Sequence, residues 1–184
     1  MNPAGTQTLE TKRLILRRYT IDDAEDMYQN WASDPEVTRF LTWPAHADLE
    51  VTKHVLQDWI PRYEEGNYFN WAIELKETGA VIGNIAAVRL DEDVEAADVG
   101  YSMGKAYWNQ GIMTEALRAV MDYLFDVVGL NRVSSYHDPD NPGSGRVMEK
   151  AGMLKEGVLR QAGRNNRGIC DEVRYALLKS DREV

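Results

Sequence analysis

Residues 97–128 read, in order, ADVGYSM (97–103), GKAYWNQG (104–111) and IMTEALRAVMDYLFDVV (112–128). The first segment is typical of a strand and the second of a connecting loop. The third segment repeats apolar residues at intervals of three and four, namely Leu117, Val120, Met121, Leu124, Phe125 and Val128. This spacing predicts an amphipathic helix with one apolar face. The centre of the chain therefore reads as strand, loop and long helix.

The loop before this helix is a candidate anion site. The first N–H groups of a helix have no partner within it, and the helix dipole adds positive partial charge there. A pyrophosphate is the expected guest. The spacing alone also fits a plain strand–helix joint. Neither GxGxxG nor GxxxxGK[ST] occurs, so the sequence supports neither a Rossmann dinucleotide site nor a P-loop.

The rest of the chain alternates strand and helix patterns. Strands are predicted near residues 14–16, 68–75, 80–90, 131–136, 156–162 and 170–178. Helices are predicted over 20–33, 48–60 and 144–151, with the central helix over 112–128. Strands and helices that alternate in this way predict a layered α/β or α+β architecture.

Length and composition indicate one globular domain. The 184 residues are 43% hydrophobic and 28% charged, so we expect a single domain over 1–184. The formal net charge of −9 disfavours a general nucleic-acid binder, which would need a basic surface. It suits a protein whose substrates carry amines, although a charge of this size also serves solubility alone.

Cysteine and histidine usage excludes several classes of site. Cys170 is the one cysteine, so no intramolecular disulfide forms and a reducing compartment is expected. Residues 1–7 lack the features of a signal peptide, and no apolar run is long enough to span a membrane. His46, His54 and His137 share no metal-ligand spacing, so no metal site is expected.

Five motifs, in order, resemble the GNAT family of N-acetyltransferases. WNQGIMTEA (108–116) looks like that family's coenzyme A pyrophosphate loop, closest to the branch that acetylates the N-terminal residue of ribosomal proteins. The other motifs are LETKRLILR (9–17), SDPEVT (33–38) with WP (43–44), DPDN (138–141) with Ser144 and RVMEKAG (146–152), and GVLR (157–160) with DEVRY (171–175). They are similar to the opening strand, the substrate-side loop, the second cofactor motif and the last hairpin.

The resemblance implies a fold and an activity. The expected fold is a mixed, mostly antiparallel sheet of about seven strands flanked by about four helices, splayed between the fourth and fifth strands. The expected activity is direct acetyl transfer from acetyl-CoA, as co-substrate, to a primary amine in a ternary complex. The acceptor expected first is a protein N-terminal amine. Two alternatives are a small amine such as a polyamine, an amino acid or an aminoglycoside, and a non-catalytic acyl-CoA-binding module. A cytoplasmic monomer or homodimer is expected.

The resemblance also implies the residues that hold the co-substrate. They are Ser102, Met103, Asn109, Gln110, Gly111, Ile112, Met113, Thr114, Asn141 and Ser144. Two positions depart from the family pattern. Asn109 stands where glycine is usual, and Met113 where alanine or glycine is usual, so either side chain would narrow the cofactor groove.

Catalytic and acceptor-binding residues follow from the same resemblance. The backbone N–H near Met103 is the expected oxyanion donor. Ser144 either protonates the leaving thiolate or only caps a helix. Asp98 either deprotonates the amine through water or is an ordinary exposed acid. Trp43 and Tyr101 are expected to line the acceptor pocket, with a core position as the alternative for Tyr101. Acceptor specificity is expected in the loop between the first two helices and in the 163–168 turn.

Overall fold

A computed structural model describes residues 1–183. The described residues form one sheet of eight strands in the order β1-β2-β3-β4-β5-β6-β8-β7. The strands are β1 (Leu9–Glu10), β2 (Leu14–Arg17), β3 (Asn70–Leu75), β4 (Val81–Asp91), β5 (Ala96–Met103), β6 (Arg132–His137), β7 (Leu154–Asn165) and β8 (Gly168–Leu178).

The strand pairs are antiparallel except for β5 and β6, which run parallel and then separate. Their pairing covers Ala96 with Arg132, Ala97 with Val133 and Asp98 with Ser134, and it ends there. The remaining residues of both strands diverge, which leaves a wedge-shaped gap between them. The mixed sheet and its splay confirm the expected fold class. The extra strand is the two-residue β1, which is too short to carry an alternating pattern.

Helices cover both faces of the sheet. In the described part of the chain the α-helices are α1 (Ala24–Met27), α2 (Pro35–Thr38), α3 (Leu49–Trp59), α4 (Ile112–Tyr123) and α5 (Pro142–Ala151). A π-helical turn over Leu124–Val128 extends α4, so the central helix ends at the predicted residue. The helix predicted over 20–33 is a 3₁₀ turn (Ile21–Asp23), α1 and a π-helical turn (Tyr28–Ala32). The Thr20 N–H donates to the Asp23 carboxylate at 2.7 Å, which fixes the start of this segment.

Two apolar clusters hold the layers together. The apolar stripe of α4 lies in the larger one, where Leu117, Val120 and Leu124 are completely buried. The smaller cluster contains Met27 of α1, Trp31 and Leu56 of α3. Each buried large side chain contributes about 1.5–3 kcal/mol relative to its exposed state. This packing fixes the start of α4 relative to β5.

Two elements differ in extent from their predicted bounds. The last hairpin is longer than expected, because β7 continues through Gly163 to Asn165 and leaves only a tight turn before β8. Its polar composition gave no sign of this pairing. Helix α5 starts at Pro142, because proline at the first helical position needs no N–H partner, and Asn141 is its N-cap. Among the described residues, no helix combines the length and apolarity needed to cross a membrane.

Candidate functional site

Every second residue of β5 directs its backbone N–H and C=O groups toward the gap between β5 and β6. The Gly104 N–H donates to the Ile82 carbonyl at 2.9 Å, on the β4 side. In an antiparallel ladder, alternate residues direct both backbone groups to the same neighbour. Val99, Tyr101 and Met103 therefore direct their N–H and C=O groups toward β6, which has already separated at their height. No strand among the described residues pairs with this edge of the gap.

Side chains occupy two of the carbonyl groups on this edge. The Ser135 hydroxyl donates to the Val99 carbonyl at 2.7 Å. The Trp108 indole N–H donates to the Met103 carbonyl at 2.8 Å. The N–H groups of this edge stay directed into the gap. An extended molecule that carries amide groups, as pantetheine does, fits such an edge in the way an added strand would.

The loop before α4 contains two residues in the left-handed backbone region. Gly111, the N-cap of α4, has φ +72° and Asn109 has φ +61°. Glycine adopts this region without steric cost, and asparagine is among the few other residues that visit it routinely. Asn109 therefore takes the conformation in which the family pattern has glycine. Its side chain is exposed.

Buried side chains follow directly after Gly111. Ile112 is 2% exposed, Met113 is 4% exposed, and both belong to the larger core. Thr114 is also buried. The first turn of α4 therefore presents backbone N–H groups at its outer end, while its side chains fill the core. Because Met113 points into the core, its extra bulk relative to alanine lies inside the protein.

A clasp from the β1–β2 connection holds this loop. Arg13 donates from Nε to Glu115 Oε2 at 2.7 Å and from Nη1 to the Gln110 carbonyl at 2.9 Å. The Thr11 hydroxyl and the Arg13 N–H both donate to Glu115 Oε1, at 2.6 and 2.9 Å. Partial burial works against ionisation, but these hydrogen bonds outweigh it and lower the pKa of Glu115. Sequence reasoning missed this clasp.

Tyr101 and Ser144 meet across the gap. The Tyr101 hydroxyl donates to the Ser144 carbonyl at 3.0 Å and lies 3.0 Å from Ser144 Oγ. Asn141 is the N-cap of α5 and Ser144 is its third residue, so Ser144 is not the cap. Burial raises the pKa of Tyr101 well above its ordinary value, although the Ser144 hydrogen bond lowers it. Tyr101 is half-buried and packs against the larger core.

Asn141 has an uncommitted side chain next to this pair. Its amide makes no hydrogen bond with any described residue, although it stands at the helix N-cap. Asparagine at this position normally accepts from the first turn of the helix. The side chain is half-buried. Its donor and acceptor are thus available to a ligand that enters the gap.

Asp98 lies where β5 and β6 separate. The Ser134 hydroxyl donates to Asp98 Oδ1 at 2.5 Å, and Arg174 Nη1 lies 3.5 Å from the same oxygen. Arg174 continues the network to Glu172, whose Oε2 is 2.6 Å from Arg174 Nη2. Glu172 is 4% exposed. Sequence reasoning missed Glu172 and Arg174, because strand periodicity does not reveal a buried carboxylate.

The two segments in which acceptor specificity is expected contact each other. Asn166, in the β7–β8 turn, donates from Nδ2 to the Trp43 carbonyl at 2.7 Å and to the Thr38 carbonyl at 2.8 Å. Its backbone N–H donates to the Leu41 carbonyl at 3.1 Å. The Trp43 ring packs 5.2 Å from the His46 ring, beside the smaller core. The turn therefore holds the loop that carries Trp43.

The same turn also contacts the loop before α5. Asn165 donates to the Asp138 carboxylate at 2.8 Å, and Arg167 donates to the Asp140 carboxylate at 2.7 Å. An open cavity of about 590 Å³ lies against the turn and is lined by Thr42 and residues 164–168. The turn that lines this cavity thus contacts the segment that ends at Asn141. In the part of the chain that the structure describes, no cluster of three His, Cys, Asp or Glu side chains forms a metal site.

Comparisons with known proteins give this arrangement a family context. A family model described as an acetyltransferase (GNAT) domain matches residues 13–154. The uncharacterized N-acetyltransferase YoaA of Bacillus subtilis is 34% identical over 171 residues, covering 93% of this chain and 96% of YoaA. The uncharacterized N-acetyltransferase p20 of Bacillus licheniformis is 31% identical over 175 residues, covering 95% of this chain and 98% of p20.

A more distant relative and a solved structure complete the comparison. The ribosomal-protein-serine acetyltransferase of Escherichia coli is 29% identical over 137 residues, which is 74% of this chain and 75% of that enzyme. The crystal structure of a GNAT-family acetyltransferase from Bacillus anthracis superposes with a TM-score of 0.84, covering 95% of this chain and 99% of that one. At 24% identity, this likeness shows the fold alone.

Proposed function

This chain belongs to the GNAT acetyltransferase family, and on that premise we propose that its acceptor is the N-terminal amine of a protein. The chain is an acetyl-CoA-dependent N-acetyltransferase. The observation that best supports this function is the gap between β5 and β6. In the described residues its β5 edge has no partner strand and ends beside the start of α4. We place the reaction in the cytoplasm, where ribosomal proteins, the substrates named for one relative, are made.

Acetyl-CoA binds, in this proposal, along the gap and across the start of α4. The N–H groups of residues 110–114 hold the pyrophosphate, because they lack helical partners and the dipole of α4 favours negative charge there. The Tyr101 backbone groups pair with the pantetheine amides. The backbone of Ser102 faces β4, so Ser102 reaches the arm through its side chain alone. The unengaged Asn141 amide, at the other wall, holds the end of the arm.

Three groups serve the acetyl transfer itself. The Met103 N–H faces the gap and donates to the thioester oxygen as negative charge develops on it. The Ser144 hydroxyl, oriented by Tyr101, protonates the departing thiolate. The assignment of Asp98 as the base that takes the amine proton through water stays a prediction. Direct transfer needs both substrates bound together, which the open acceptor side of the gap permits.

Two observations support the choice of acceptor. One relative is named for acetylating ribosomal proteins, and a cavity of about 590 Å³ between Thr42 and the β7–β8 turn offers space for a chain end. A small amine is the second candidate, favoured by the hydrogen bonds of Asn166, which enclose one side of this cavity. The two candidates differ in how many residues of the acceptor contact the protein.

A thiol-release assay tests the proposal. The protein is incubated with acetyl-CoA and either short peptides with free N-termini or a panel of polyamines, amino acids and aminoglycosides. Peptides that match the panel in charge but carry a blocked N-terminus serve as the control. Release of CoA that depends on a free peptide N-terminus is expected. Release of CoA with small amines alone would mean that the acceptor is a small amine and not a protein N-terminus. Binding of acetyl-CoA without release of CoA in the presence of any amine would contradict the proposed function.

A further inference from the structure

A nearly buried carboxylate on β8 has no role in the reaction as described so far. Glu172, on β8, is 4% exposed. Arg174 holds its Oε2 through two contacts, from Nε at 2.8 Å and from Nη2 at 2.6 Å. Its second oxygen, Oε1, accepts no hydrogen bond from any residue that the structure describes. Trp31 Nε1 is the one fully buried side-chain polar atom without a hydrogen-bond partner among the described residues, so Glu172 Oε1 still reaches solvent. An ionised carboxylate oxygen accepts hydrogen bonds only, and this one is free to accept from a ligand.

The backbone of β7 is shaped so that it leaves this oxygen uncovered. A Cβ on Gly163 would lie 2.9 Å from both Cγ and Oε1 of Glu172, so any side chain there would displace the carboxylate. The pairing of β7 with β8 also breaks between Leu159 and Gly163. Gln161 stands in this bulge with φ +53°, and its N–H donates to Asp171 at 2.8 Å. Bulges of this kind commonly lie next to active sites.

The strand register places Glu172 at the height of the oxyanion donor. Tyr136 pairs with Arg174 and His137 with Val173, so Glu172 stands level with Asp138. Asp138 is four residues beyond Ser134, and Ser102 is four residues beyond Asp98, the partner of Ser134. At about 3.3 Å per residue, Glu172 is about 13 Å from the closed end of the gap and level with the Ser102–Met103 peptide.

The Glu172 side chain also lies on the same face of the sheet as Asp98. Arg174 contacts both Asp98 and Glu172, so all three lie on one face. Val99 and Met103 belong to the larger core on the other face, with α4. Asp98 is committed to Ser134 and Arg174 at the closed end, whereas Glu172 has a free oxygen at the open end. The charged and titratable groups around Glu172 are Arg174, Tyr136, Cys170 and the buried Asp138 at the same height, with Asp98 beyond Arg174.

We propose that Glu172, in place of Asp98, is the carboxylate that binds the acceptor amine and takes its proton. This rests on the proposed function of the gap. An acceptor that arrives as an ammonium ion gives one proton to Glu172. Its nitrogen then bonds to the thioester carbonyl carbon, and the C–S bond breaks. The second proton lost by nitrogen is balanced by the one that the thiolate takes up. The products are the amide, the free thiol and one proton, which Glu172 passes to solvent.

The test compares Glu172→Gln with Glu156→Gln in the thiol-release assay, with the best acceptor peptide found for the wild-type protein. Glu156 is a matched control, because its carboxylate on β7 also forms an ion pair with an arginine, Arg132 on β6. Glu172→Gln is expected to lose about 10²–10⁴-fold in kcat/KM at pH 7. The loss should shrink as the pH rises and solvent deprotonates the amine, whereas Glu156→Gln should stay within about twofold.

Calorimetric titration with CoA separates this loss from misfolding, because a folded Glu172→Gln protein keeps its CoA affinity. Gly163→Ala is the second variant, since it covers the same oxygen from an exposed strand without changing any charge. It should also lose activity and keep CoA binding. A folded Glu172→Gln protein with more than half of wild-type kcat/KM at pH 7 would overturn the proposal, as would a large loss confined to Asp98→Asn. Absence of turnover in the wild-type protein with every amine would instead contradict the proposed function.

Discussion

The guanidinium of Arg13 contacts both sides of the loop that precedes α4. Its Nε donates to Glu115, in the first turn of the helix, at 2.7 Å, and its Nη1 donates to the Gln110 carbonyl at 2.9 Å. Glu115 would otherwise place an uncompensated negative charge beside an expected pyrophosphate. The ion pair offsets that charge and fixes the loop in one conformation. Preorganisation of this kind lowers the entropy lost on binding.

Removal of this clasp should weaken binding of CoA. Glu115→Gln loses the ion pair but keeps the size of the side chain, and hydrogen bonds to charged groups contribute about 1.5–3 kcal/mol. We expect about a tenfold loss of CoA affinity in calorimetric titration, equal to about 1.4 kcal/mol. The control is Glu50→Gln, which removes an exposed ion pair with Lys53 on α3. Equal CoA affinities for the two variants would argue against a role for the clasp.

Glu115→Gln should also change how the stability of the protein depends on pH. The pKa of Glu115 is lowered in the folded protein from its ordinary value of 4.5. A lowered folded pKa adds stability above the unfolded value, and this stability is lost as the pH falls through the folded pKa. The wild-type protein should therefore melt at a higher temperature than Glu115→Gln near pH 7, and the difference should close as the pH falls below the ordinary pKa of 4.5. A difference that grows in acid would contradict the ion pair.

A negative charge at Gly111 should block the pyrophosphate site. Gly111→Asp places a carboxylate at the start of α4, and we expect a loss of about 2–4 kcal/mol in CoA binding free energy. Because Gly111 has φ +72°, any side chain there also strains the fold by about 1–2 kcal/mol. Gly111→Ala carries this strain without the charge and is the matched control. Unchanged CoA affinity in a folded Gly111→Asp protein would refute the site.

Ser144 should matter for turnover rather than for stability. If its hydroxyl protonates the thiolate, Ser144→Ala lowers kcat about 10²–10⁴-fold with little change in the acetyl-CoA KM. Because Asn141 is the helix N-cap, the melting temperature should barely change. Tyr101→Phe removes the phenol that contacts Ser144 and should lower kcat less, since the serine hydroxyl remains. Thermal melting with steady-state kinetics separates the two roles, and a lower melting temperature at unchanged kcat would leave Ser144 with a structural role only.

Asn166 should affect the binding of the acceptor and leave the binding of the co-substrate unchanged. Asn166→Ala removes the two side-chain hydrogen bonds to the Trp43 and Thr38 carbonyls, each of which contributes about 1 kcal/mol. We expect the KM for the acceptor peptide to rise about five- to thirtyfold, while the CoA dissociation constant stays constant. Asn2→Ala is the control, because Asn2 also donates to a main-chain carbonyl, that of Val127. A change in CoA affinity as large as the change in acceptor KM would contradict this division.

Local patterns predicted the part of the site that depends on periodicity. The central helix was predictable because its apolar stripe follows the helical period over its whole length. Gly111 was predictable because a glycine before such a helix indicates a loop. Asn109 was harder to interpret, because a residue type does not reveal a backbone angle. Its φ of +61° explains why asparagine stands in a glycine position.

Contacts between distant segments were not predictable. Arg13 and Glu115 are separated by 102 positions, and nothing in either segment indicates the other. Glu172 lies in a strand in which an acidic residue normally faces solvent. It is buried because Gly163 has no side chain and Arg174 neutralises it, and both facts depend on strand register. The Asn166 contacts depend on a turn that is tighter than the 163–168 segment suggested.

A crystal structure of the protein with CoA tests the central claim most directly. We expect the pyrophosphate on the N–H groups of residues 110–114 and the pantetheine amides paired with the Tyr101 backbone. It also predicts the thiol near Asn141 and Ser144, inside the β5–β6 gap. A CoA molecule bound elsewhere, with the β5 edge still open to solvent, would contradict the account.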